Sequence, residues 1–177
     1  LKIFSGDNLK AFVSKRHGEV KLGEKVEIVK GSFEHWLKKS KSTFILIGIP
    51  ESIGVQANYG KAGCETMWKN FLPKFLNIQN NSFLDGKNIA IAGEIEVNDL
   101  EKKVSESKLK GDDRIKFLRE LTSEIDNRVK PVIKLIAGSG KIPVIIGGGH
   151  NNSYGNISGT SAAFKKKISV INIDAHA

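Results

Sequence analysis

The chain has a single cysteine, Cys64, in 177 residues, which excludes an intrachain disulfide framework and makes a reducing cytoplasm the expected compartment. No apolar run approaches the ~20 residues needed to cross a bilayer. The N-terminus lacks the apolar core of a signal peptide. The expectation is therefore a soluble protein without a membrane partner. The 28 basic residues against 19 acidic leave a net charge of +9, but they are spread along the chain. No basic run carries the interleaved aromatics that stack on bases, so nucleic acid is not expected as a partner. Internal repeats and low-complexity tracts are also missing.

What is present suffices for one core: 40% of the residues are hydrophobic, and one domain is the default at this length. Residues 1–42 are mixed and polar, with a short helix expected at 32–39. They are read as an N-terminal extension packed on a domain that begins at residue 43. His17 and His35 lie there without Cys, Asp or Glu at ligand spacing, as solvated surface histidines do. Apolar runs at 43–49, 88–93, 142–146 and 168–173 predict strands, and helical periodicity predicts helices at 64–76, 112–138 and 153–167. Pro131 should kink or divide the second of these helices, and Gly155 and Gly159 should weaken the start of the third. The almost wholly polar stretch 98–110 reads as an exposed, mobile excursion. Strands alternating with helices, without hairpin signals, imply a mainly parallel sheet in a three-layer α/β/α sandwich.

In such a sheet the strands end on one side, and loops leaving their carboxyl ends form ligand crevices. The turn-rich segment 51–63 is one candidate wall; Gly54, Gly60 and Gly63 would supply the positive φ of a tight loop. Cys64 beside it has no histidine pattern to serve as its base, so a nucleophilic role is not expected. Glu94 and Glu96, at the end of the second strand, read as solvated strand-end charges. The informative stretch is Gly147-Gly-Gly-His150, followed by Asn172-Ile-Asp174-Ala-His176. Each sequence follows an apolar run, and Asp174 and His176, two apart on an expected strand, would share a face. The glycines match neither a P-loop nor a dinucleotide fingerprint. Imidazole and carboxylate without thiolate suit a borderline-hard divalent ion, Mn²⁺ first, with Zn²⁺, Fe²⁺, Co²⁺ or Ni²⁺ as alternatives. Asp174, with two oxygens, could bridge two ions whose shared water would ionise near neutral pH.

These two motifs resemble the first two signatures of the ureohydrolases, the arginase, agmatinase and formimidoylglutamase family. The resemblance is strongest over residues 43–64 and 142–176. It implies an arginase-like fold, a homo-oligomer, and a site for two Mn²⁺, with His150 and His176 as ligands of separate ions, Asp174 bridging them, and hydroxide as the nucleophile. The remaining ligands would follow Ala177, so the chain is expected to be truncated and, alone, to bind metal weakly and be inactive. Gly54-Val55, Asn58, Gly60, Lys61 and Gly63, with the run at 151–156, look most like formimidoylglutamases. That likeness implies hydrolysis of a small-molecule substrate, N-formimidoyl-L-glutamate, to glutamate and formamide in histidine degradation. Asn58, Gly60 and Lys61 would then bind substrate. Arginase or agmatinase activity, or a non-catalytic module of the same fold, are the alternatives. Lys61 stands where arginine is expected, and Asn151 where an acidic residue is common.

Overall fold

The structure, a computed structural model, describes residues 1–174. Its strands are β1 (Lys2–Ile3), β2 (Glu27–Ile28), β3 (Phe44–Gly48), β4 (Ile89–Glu94) and β5 (Ile142–Ile146). The helices are α1 (Gly6–Lys10), α2 (Phe33–Lys39), α3 (Ile53–Ala57), α4 (Met67–Leu76), α5 (Asn98–Glu106), α6 (Gly111–Gly138) and α7 (Asn152–Phe164). The sheet runs β1-β4-β3-β5, with β2 also pairing with β4. β3 is parallel to β4 and β5, whereas β1 is antiparallel to β4, so the sheet is mixed.

Two apolar layers follow from the two-residue alternation of the strands. Ile45 and Ile47 of β3, with Ala90 and Ala92 of β4, pack under α2, α3, α5 and α6. Leu46 and Ile91 face the other way, against Leu9 of α1 and Trp68, Leu72 and Leu76 of α4. This is the α/β/α sandwich expected from the alternation of strands and helices. Residues 1–42 add β1 and β2 to the sheet edge. Within this segment the Glu27 carboxylate ties β2 to α2 and to the chain entering β3, accepting from Trp36 Nε1 at 3.1 Å, Ser40 Oγ at 2.7 Å and Ser42 Oγ at 2.8 Å.

Four expectations need correction. The stretch read as a mobile excursion forms α5, because Leu100 and Val104, one turn apart, are both buried. Pro131 does not divide α6; Val129, Val132 and Ile133 around it are buried in the core and hold the helix together. Gly155 and Gly159 do not weaken α7. They let it approach α6 closely, where a Cβ would lie 2.9 Å from Val129 Cγ1 and 2.7 Å from the Lys130 carbonyl. The run at 168–173 is not a strand: among the described residues it has no ladder partner, and Ile171 and Ile173 are 90% and 96% exposed. It shares a cleft with Pro143 and Ile145 of β5 and with Ile157 and Thr160 of α7, without pairing to the β5 edge. Apolar composition supplies a strand's side chains but does not make the ladder: among the described residues the outer edge of β5 lies open beside this run, and the run does not pair with it.

α5 and α6 are also joined at the surface. Arg128 donates to both oxygens of Asp99, at 2.6 and 2.7 Å, and to the Glu96 carbonyl at 2.7 Å. The guanidinium holds the Asp99 carboxyl down from 3.8 to about 2. A carboxyl depressed in the folded state stabilises above its unfolded value and loses that contribution as pH falls through the folded one. Asp99→Asn should therefore lower the thermal midpoint at neutral pH, and the gap from the parent should close between about pH 4 and pH 2. Thermal melts of both proteins across that range check it.

Candidate metal and substrate site

β3 and β5, parallel neighbours, deliver their following loops to the same edge, and the Ile49 amide extends the ladder to the Ile146 carbonyl at 3.0 Å. Beyond β5 the chain turns through Gly147 and Gly148, with φ of 93° and 72°. That left-handed backbone strains any side-chain-bearing residue. The turn presents His150, whose side chain is 49% exposed and whose Nδ1 lies 3.0 Å from Asp174 Oδ2. The Asp174 side chain is 20% exposed. The structure thus brings together two of the three expected metal ligands; the third, His176, lies outside the described residues. Among the described residues no cluster of three or more His, Cys, Asp or Glu could hold a metal.

His150 and Asp174 open onto a cavity of about 580 Å³, which Gly54, Val55, Asn58, Gly60, Asn151 and Asn172 also line. Of the expected substrate residues, Asn58 and Gly60 line it; Lys61 is exposed and is not in the lining. The 51–63 wall differs from the expected glycine-rich loop. Gly54 sits in α3, and of the three glycines only Gly63 has positive φ, 138°. Tyr59 instead takes φ of 62°, a left-handed conformation uncommon outside glycine. Neighbouring helices brace the wall: Glu101 of α5 accepts from the Ser52 amide at 3.0 Å, and Arg114 of α6 donates to Gln56 Oε1 at 3.1 Å. Burial pushes the Glu101 carboxyl up from its ordinary value.

The residue that sequence reasoning missed is Glu51, fully buried at the foot of the wall. An acid directly after Pro50, at the end of a buried strand, was the available signal. Cys64 fits its expected inactivity. Its thiol donates to the Glu51 carbonyl at 3.2 Å, and burial, then the Glu51 and Glu65 charges, push its pKa up, away from thiolate. His17 and His35 are exposed, Glu94 pairs with Lys2 at 3.0 Å, and Glu96 is exposed.

The three-layer α/β/α fold, with the β3 and β5 loops delivered to the carboxyl edge of its sheet, is arginase-like. The chain belongs to the arginase family, which it matches over residues 42–177. It is 48% identical over 42 residues to a formimidoylglutamase of Chromobacterium violaceum, covering 23% of this chain and 14% of that protein. It is 27% identical over 135 residues to a formimidoylglutamase of Streptococcus gordonii, covering 75% of this chain and 35% of the relative. The fold is similar to that of Trypanosoma cruzi formiminoglutamase crystallised with Mn²⁺, with a TM-score of 0.54 and 19% identity, over 82% of this chain and 41% of that one. The chain therefore spans well under half the length of these relatives.

Proposed function

We propose that the protein to which these residues belong is a metal-dependent hydrolase that cleaves a carbon–nitrogen bond of a linear amidine. The proposed substrate is N-formimidoyl-L-glutamate, and the products are glutamate and formamide. The observation that carries this reading is the His150–Asp174 pair at the rim of a cavity walled by the β3 and β5 loops. Similarity to two formimidoylglutamases supports the substrate.

The donors fit a divalent ion of the borderline-hard class, because an imidazole and a carboxylate are already within 3.0 Å of each other. His150 would hold one ion and His176 a second, with Asp174 serving both. Manganese, present in the Trypanosoma cruzi neighbour, is the proposed metal, two ions per intact site. Bound, it would supply Lewis acidity and acidify water toward neutral pH. The chain's own residues orient and bind. Nδ1 of His150 and Oδ2 of Asp174 face each other at 3.0 Å, so with both given to an ion the imidazole would keep its proton on Nε2. Asn58 would offer its side-chain amide inside the cavity, Gly60, whose amide is held by the Val55 carbonyl at 2.8 Å, would shape the wall, and Lys61, outside the lining, would add positive charge near its mouth. Assay of the full-length gene product with Mn²⁺ on N-formimidoyl-L-glutamate, arginine and agmatine tests this. The first should show the highest kcat/KM, and turnover of none would overturn the proposal.

A further inference from the structure

Glu51 is 0% exposed, yet its two oxygens serve both walls of the cavity. Oε2 accepts from the Gly54 amide at 3.0 Å, on the α3 side. Oε1 accepts from the Gly149 amide at 3.0 Å, Asn151 Nδ2 at 3.2 Å and Asn152 Nδ2 at 2.7 Å, all on the turn that carries His150. A buried carboxylate with four donors is a strong tie, because charge-assisted bonds are about twice as strong as neutral ones. The two walls also touch directly, and glycines make room. A Cβ on Gly54 would lie 2.0 Å from Asn151 Cγ, and one on Gly149 2.6 Å from Val55 Cγ2. Loops usually move independently of one another. Here the loop bearing the expected substrate contacts Asn58 and Gly60 and the turn bearing the expected ligand His150 share one acceptor.

We infer that Glu51 is a positioning residue: it clasps the α3 wall to the His150 turn, so that substrate contacts and metal ligand are set as one unit. The inference rests on the metal-hydrolase reading for its kinetic consequence, although the clasp itself does not. Its two sides can be separated chemically. In Glu51→Gln the carbonyl can still face the three donors of the His150 turn, which turns the new NH₂ group toward the Gly54 amide, donor against donor. Glu51→Ala removes both sides.

The test is kinetics and Mn²⁺ titration calorimetry on the full-length gene product and both variants. Glu51→Gln should raise KM about tenfold, the consequence of a lost buried hydrogen bond, while Mn²⁺ affinity stays near that of the parent. Glu51→Ala should raise KM and also weaken Mn²⁺ binding by about 10–100-fold, the range seen when support behind a metal ligand is removed. A merely structural role would lower the folded fraction and leave KM and Mn²⁺ affinity of the folded protein unchanged; that result would overturn the inference. So would Glu51→Ala changing only one of the two constants. If Glu51→Ala does not fold, the isosteric Glu51→Gln decides: an unchanged KM overturns the inference and a raised one supports it. If the parent turns over none of the three substrates, the hydrolase reading fails, and the clasp is read by amide exchange in Glu51→Gln. Faster exchange at Gly54 with Gly149 still protected supports it, and any other pattern overturns it.

Discussion

Replacing His150 by alanine in the full-length gene product should cut Mn²⁺-dependent hydrolysis about 1,000-fold, the upper range for removing one preorganised electrostatic group. Three observations support this magnitude. The Gly147–Gly148 turn fixes where the imidazole emerges. The Asp174 carboxylate, 3.0 Å away, fixes its orientation. Gly149, one residue earlier, is held by the buried Glu51. His150 is half exposed and lies outside both apolar clusters, so its removal should leave the fold intact. The loss should appear in kcat, measured at saturating substrate and metal, with an unchanged thermal midpoint. A loss of only about tenfold would place His150 among the groups that support a metal ligand rather than among the ligands.

The second large effect falls on stability. Trp68 is 2% exposed and lies against Gly48 at the carboxyl end of β3, where a Cβ would come within 2.3 Å of the indole Cγ. Its ring also stacks on Phe71 and tilts against Phe4, both at 6.2 Å between centroids. Trp68→Ala should cost about 3–5 kcal/mol, because α4 cannot collapse into the space beneath a rigid strand. Trp68→Phe should cost distinctly less. Among the described residues the buried indole N–H has no hydrogen-bond partner, so phenylalanine loses ring area but also removes an unsatisfied donor. Denaturant midpoints of the three proteins check both statements, and a phenylalanine variant as unstable as the alanine one would contradict them.

Periodicity carried most of the architecture. The run at 142–146 is β5 to the residue, because a short continuous apolar run bounded by Lys141 and Gly147 has few other ways to be buried. Composition misled where burial is sparse. α5 has only Leu100 and Val104 to anchor it, too few to stand out in a polar stretch. The run at 168–173 erred in the opposite direction, since its isoleucines say nothing about whether a neighbouring strand edge will receive them. At the site, His150 and Asp174 were legible because glycines and strand ends announce residues delivered to a crevice. Glu51 was not: its partners Gly149, Asn151 and Asn152 lie about a hundred positions away, at separations of 98, 100 and 101. Gly54 reads in the sequence as conformational freedom, whereas in the structure it admits the Asn151 side chain.

The proposed divalent metal would lie at the rim where the β5 turn meets Asp174. Anomalous diffraction at the manganese edge, from crystals of the full-length gene product grown with Mn²⁺, tests that placement directly. The predicted result is density within coordination distance of the His150 imidazole and an Asp174 oxygen, lost in His150→Ala. Manganese bound only elsewhere, or unchanged in that variant, would contradict it.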